Sequence, residues 1–181
     1  MLEWAKRIIG MSPVPVAAGP GYADALGAWA IQVEWVNKYA RPLVFSPADV
    51  RQTLTAYLPA GSNITLGDGQ YAIPNAMEFD HLRTGSPLPT IPYAPDRRDC
   101  DDYARYFSAA CAIYCRLNNV AVIWDLQAEK PNGMPYPHAY NLVIMADKQG
   151  KLFCRGLEPQ TMRWIWPGTD GLLVKPLQAR L

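Results

Sequence analysis

Apolar positions recur along this chain with two different periods. The change falls between a helix that starts at Cys100 and a strand that starts at Val120. Before it, the spacing is helical. Residues 22–40, with Ala28, Trp29, Ile31, Val33, Trp35 and Val36 along one apolar side, predict a helix. Ser46-Pro47-Ala48-Asp49 predicts a second: a capping serine, proline at the first helical position and an acid at the third. It runs to about Leu58 and stops at Pro59-Ala60-Gly61. Thr65 to Ile73 holds a turn at Asp68-Gly69, and a short helix follows Pro74 through Met77, Phe79 and Leu82. Gly85 to Pro95 is an extended, proline-rich lead-in to the next helix. That helix has Asp99 as its expected N-cap and Asp102 at its third position. Its buried stripe reads Tyr103, Ala104, Phe107, Ala110, Cys111 and Tyr114.

Beyond it the pattern is that of strands. Val120 to Leu126 is one, and Lys130 to Pro137 is a turn-rich loop. His138–Met145 and Lys151–Leu157 form a hairpin around Asp147-Lys148-Gln149-Gly150. Arg163-Trp164-Ile165-Trp166 adds a strand, and a Pro/Gly-rich loop from Trp166 to Gly171 precedes Leu172-Leu173-Val174. Helices first and an antiparallel sheet second make the class α+β. Residues 1–65 read as a helical, proline-rich extension, including the arm Ser12 to Gly21, and residues 66–181 as the main domain.

Composition narrows the function. The 181 residues carry 17 Lys and Arg against 16 Asp and Glu, a balance that gives no footprint for nucleic acid. The apolar run Ile8-Ile9-Gly10-Met11 ends at Ser12-Pro13, too short for a signal-peptide core or a membrane span. A soluble cytoplasmic protein is expected, of bacterial or phage origin, acting in the host cell interior if phage-encoded. Cysteines 100, 111, 115 and 154 do not form a secreted disulfide framework and suit reduced thiols. Cys100, Cys111, Cys115 and His138 are too spread along the chain for one tetrahedral zinc ion.

Cys100 lies where a helix dipole favours a thiolate, and a nucleophilic thiol needs a base and an orienting group. The chain has two histidines, His81 and His138, and only His138 opens a strand adjacent to a carboxylate that could orient it, Glu158, the residue after the strand Lys151–Leu157. A turn pairing Asp147 with Gly150 puts His138 opposite Pro159; a bulge or a one-residue slip brings Glu158 across from it. Asp99, Asp101 and Asp102 oppose ionisation of the neighbouring thiol. Either Arg97 and Arg98 offset them, or a hard cation, Ca²⁺ or Mn²⁺, does so on the oxygens of Asp101, Asp102 and Glu158; solvated capping acids are the plainer alternative.

The segments Asp99-Cys100-Asp101-Asp102-Tyr103-Ala104, Pro137-His138-Ala139-Tyr140-Asn141 and Leu157-Glu158-Pro159-Gln160 together resemble the C-terminal domain of fungal chimerolectins of the Marasmius oreades agglutinin type, and related stand-alone phage and bacterial domains. The resemblance covers roughly residues 70–165. It implies a papain-like fold over residues 66–181 and a calcium-dependent cysteine peptidase acting on proteins or peptides. It also implies Cys100 as nucleophile, His138 as base, Glu158 as orienting acid, and Asp101 and Asp102 as metal ligands. No glutamine stands between Thr84 and Asp99 to complete an oxyanion hole, and the sugar-binding trefoil of the fungal proteins has no counterpart in residues 1–65. Two rival functions remain at this point: transglutaminase-like acyl transfer to an amine, and a phage structural or host-interaction protein that keeps the fold without catalysis. Neither a membrane nor nucleic acid is an expected partner; a second copy of the chain, as a homodimer, is compatible with the sequence.

Overall fold

The computed structural model describes residues 22–94, 99–125, 134, 136–165 and 178–181. The expected Ser12–Gly21 arm, the Lys130-to-Pro137 loop in large part, and the Trp166–Val174 segment lie outside the described residues.

Four α-helices are described, α1 (Tyr22–Tyr39), α2 (Pro47–Tyr57), α3 (Ala76–Gly85) and α4 (Cys100–Cys115), and one 3₁₀ turn, Leu88–Thr90, within the Gly85–Pro95 stretch expected to be extended. In α1 the buried stripe is Trp29, Val33 and Val36, whereas Ile31, expected on that side, faces solvent. Ser46 begins α2 as read, with Asp49 returning its side chain to the Ser46 N–H in a reciprocal box. The start of α3 uses the same device. Asn75 Oδ1 accepts the N–H groups of Met77 and Glu78, both at 3.0 Å, while Glu78 Oε2 accepts the Asn75 N–H at 3.0 Å. Such caps stabilise a helix by about 1 kcal/mol.

The strands are β1 (Leu43–Phe45), β2 (Asn63–Thr65), β3 (Tyr71–Ile73), β4 (Val120–Asp125), β5 (His138–Ala146), β6 (Leu152–Glu158), β7 (Arg163–Ile165) and β8 (Gln178–Arg180). β1 and β3 form a small antiparallel pair; the main sheet runs β2-β8-β4-β5-β6-β7. Strands β1, β2, β3 and β8 were not legible in the pattern. Each has three residues, too few to display a period of two, and long-range partners define them. The β2–β8 pair is parallel, so the sheet is mixed where an antiparallel one was expected.

β5 is buried over its whole length because both faces of the sheet are covered. Tyr140, Leu142 and Ile144 pack with Val50, Leu54 and Leu58 of α2 and the residue after it. Val143 and Met145 pack on the other side with Tyr103, Phe107 and Cys111 of α4 and Phe79 of α3. The helix that starts at Cys100 therefore lies along the central strand, with its N-terminus at the end where β5 begins. This is an α+β arrangement. Among the described residues, no helix is long and apolar enough to cross a membrane.

Candidate active site

Three elements bring Cys100, His138 and Glu158 together: α4 starts with the first, β5 starts with the second, and β6 ends with the third. The β5–β6 register settles the last two. It pairs Asn141 with Leu157 and Ala146 with Leu152, one residue away from the pairing expected. The loop closes between the Asp147 N–H and the Lys151 carbonyl, at 2.9 Å, instead of stopping at Gly150. Gly150 takes φ 78°, the left-handed conformation that glycine adopts without steric cost.

That one residue decides the face. In the expected register Glu158 points away from His138. In the observed one it continues opposite Tyr140, so His138, two residues along, shares its face as a diagonal neighbour. His138 Nε2 and Glu158 Oε2 are 2.7 Å apart, with the two side chains 5% and 20% exposed. Glu158 is itself held, its Oε1 accepting the Gln160 N–H at 3.1 Å. The imidazole is stacked between Tyr136 and Tyr140, with ring centroids 5.0 and 5.9 Å away. Burial pushes the His138 pKa down, but hydrogen bonding with Cys100 and Glu158 and their negative charges outweigh it and raise it to about 9. With Nε2 engaged by Glu158, Nδ1 is the nitrogen left for the thiol.

Cys100 is half-buried and packs with Trp124 against Ala104, Val122 and Ala139. Its Sγ accepts the Ala139 N–H at 3.4 Å, a main-chain donor on the residue after His138. The other three thiols are buried. Desolvation pushes Cys115 and Cys154 up to about 12, and Cys111 well above the ordinary thiol value. Their thiolates are disfavoured.

Asn141 fixes the helix against the sheet. Its Nδ2, fully buried, donates to the carbonyls of Ala104 on α4, at 2.9 Å, and Ala121 on β4, at 3.2 Å. Ser108 adds a 2.6 Å bond from its hydroxyl to the Val120 carbonyl. Neither role was read from the sequence, although an amide in the apolar run Ala139–Met145 was the available signal. The Ala139 N–H had no signal at all, since every residue other than proline carries one.

Asp99 occupies the N-cap position of α4 as expected; its side chain makes no capping bond of good geometry, although the N–H groups of Asp101 and Asp102 lie near enough to its carboxylate to help lower its pKa. Instead Asp99, Asp101 and Asp102 each bring a carboxylate oxygen within 4.8 Å of the others. Hydrogen bonding with Asp101 lowers the Asp99 pKa, and the same contact raises that of Asp101. Asp99 Oδ1 is buried with no hydrogen-bond partner among the described residues. Converging hard oxygens, one without a donor, fit a divalent cation, and this cluster can coordinate one. Glu158 lies outside the group, with its oxygens directed to His138 and Gln160. Arg97 and Arg98 are outside the described residues. A counter-charge is nonetheless present in Arg105, 2.8 Å from Asp101 across one helical turn, a spacing visible in the sequence.

No protein-family model matches this chain, and no curated protein is similar to it at a significant level. Solved structures do match. PSL1a in its complex with E64 superposes with a TM-score of 0.58 at 21% identity, over 77% of this chain and 51% of that one. The Polyporus squamosus lectin bound to a human-type influenza-binding epitope gives 0.56 at 22% identity, over 75% and 49%. The chain thus spans about half the length of the structures it matches, and at these identities the likeness is one of fold, α+β and papain-like; in this chain Cys100 starts the helix that lies along the sheet.

Proposed function

We propose that the protein is a cysteine peptidase in which Cys100 is the nucleophile, His138 the acid–base group and Glu158 the residue that orients His138, with residues 66–181 as the catalytic unit. The observation that carries this reading is the His138–Glu158 pair at 2.7 Å, on an imidazole whose remaining nitrogen serves the one cysteine that is not buried. A pair of this kind holds the imidazole so that it takes the Cys100 proton as sulfur attacks the scissile carbonyl carbon. The imidazolium then protonates the departing amine, leaving a thioester. Water, deprotonated by His138, cleaves the thioester and restores the thiol. The Cys100 N–H, unpaired within its helix because it starts one, is a donor for the oxyanion.

Asp99, Asp101 and Asp102 are the residues that would hold Ca²⁺ or Mn²⁺, which when bound would supply positive charge beside Cys100. Calcium at a hundred times its dissociation constant stabilises a folded protein by about 2.7 kcal/mol. The melting temperature is therefore expected to rise with calcium and to return with a chelator, and Asp102→Asn is expected to lose most of the gain. Equal melting with and without calcium and manganese, by calorimetry, would remove the cation from the account.

Catalysis itself is tested by incubating the protein with unfolded polypeptide and calcium and following new amino termini by mass spectrometry. Peptides are expected from the wild type, none from Cys100→Ala, and fewer after treatment with the protease inhibitor E64. Identical peptide patterns from wild type and Cys100→Ala would end the peptidase reading.

A further inference from the structure

The carboxylate of Glu158 sits at the last residue of β6, where the chain turns into β7 through residues 159–162. Local bonds alone hold the turn to itself: the Thr161 N–H reaches the Glu158 carbonyl at 3.3 Å, and the Gln160 N–H reaches Oε1. Met162 closes it at φ 55°, a left-handed conformation unfavourable for a residue with a Cβ. From outside the turn, the Met162 side chain is buried in the cluster with Phe79, Leu88 and Phe107, and a polar contact to the Met162 backbone comes from Arg83, in the last turn of α3. Its Nη1 donates to the Met162 carbonyl at 2.6 Å, its Nε is 2.7 Å from Asp80 Oδ1, and its guanidinium lies 5.1 Å from the centre of the Trp164 ring. Trp164 in turn pairs with Leu157, and Arg163 with Glu158, in the β6–β7 ladder. Arg83 thus grips both the turn and the strand that follows Glu158. A planar fork with several donors suits this position, because one side chain satisfies a carboxylate, a carbonyl and an aromatic face together.

We infer that Arg83 is a positioning residue for the acid of the triad, holding the β6–β7 turn so that Glu158 meets His138. The inference rests on the triad reading above. Arg83 touches no reacting group; it acts through the geometry of Glu158. Displacing a catalytic group by about an ångström costs roughly ten- to hundredfold in rate.

The test is a double-mutant cycle on the full chain. The readout is the second-order rate of iodoacetamide alkylation at Cys100, taken well below the melting temperature of every variant. Arg83→Met is expected to slow it roughly tenfold or more. Arg83→Lys, which keeps a donor for the Met162 carbonyl, is expected to recover most of the rate. In a Glu158→Gln background, adding Arg83→Met is expected to change the rate less than about twofold, because its route of action is already cut. An equal loss in both backgrounds, or no loss in either, overturns the inference while leaving the triad standing. If Glu158→Gln alone leaves Cys100 reactivity unchanged, the triad reading fails and the inference falls with it. Should Arg83→Met not fold, Asp80→Asn releases the same guanidinium from its ion pair, and the same cycle with Glu158→Gln decides the matter.

Discussion

Replacing His138 with alanine is expected to lower peptide turnover by roughly four to six orders of magnitude, the loss seen when a member of such a triad is removed. On the proposed mechanism the imidazole has two roles: it takes the thiol proton as sulfur attacks, and it delivers the proton without which the amine cannot leave. His81 is in no position to take over either role. It is stacked on Trp35 with centroids 3.9 Å apart and bonded to Gln32, in the α1–α3 contact. His81→Ala is accordingly expected to keep most of the activity. The fold should survive the loss of His138, since the imidazole sits at the first residue of β5 and the hydrophobic clusters lie farther along the strand. Turnover assays beside melting curves check this. Loss of activity in His81→Ala with retention in His138→Ala would reverse the assignment.

Glu158→Gln is expected to have the second largest effect, and the effect depends on pH. Glu158 contributes to the raised pKa of His138 through both its hydrogen bond and its charge. A glutamine keeps an acceptor for Nε2–H but removes the charge, so the histidine pKa falls from about 9 toward its ordinary 6.5. The imidazolium is lost as pH rises through that pKa. The alkaline limb of the rate profile, near pH 9 in the wild type, should therefore move to lower pH. Above the new pKa, the imidazolium population drops about tenfold for every pH unit by which the limb has moved. Stability follows the same sign. A histidine whose pKa is raised by folding contributes stability that is fully present below about 6.5 and is lost as pH climbs through about 9. The wild type should melt progressively lower across that window, and Glu158→Gln should show a shallower dependence. An unmoved alkaline limb in Glu158→Gln would detach the acid from the base.

The parts of this molecule that were legible in its sequence are those with local causes. Ser46-Pro47 starts a helix because a short polar side chain can satisfy the first free N–H groups, and that needs no distant partner. The extended run of β5 and the hairpin that follows were visible for a similar reason. The triad residues could be nominated, but their meeting turned on a register that the loop sequence alone did not fix, since a two-residue turn and a three-residue loop ending in Gly150 both suit Asp147–Lys151. Short strands such as β2 and β8 had no pattern of their own. The acidic cluster differs from its expected form in two respects: Asp99 reads as a cap, yet the structure turns its carboxylate toward Asp101 and Asp102, and Glu158, expected as a ligand, lies outside the group with its oxygens on His138 and Gln160. Arg105 was the overlooked neighbour, four residues from Asp101.

In the proposed site one thiol of four, Cys100, is the reactive one. Brief alkylation with less than one equivalent of iodoacetamide at neutral pH, followed by peptide mapping, measures it. The label is expected on Cys100, with Cys111, Cys115 and Cys154 nearly unmodified in the folded protein because burial keeps them as thiols. Equal labelling of all four, or a preference for Cys154, would contradict it.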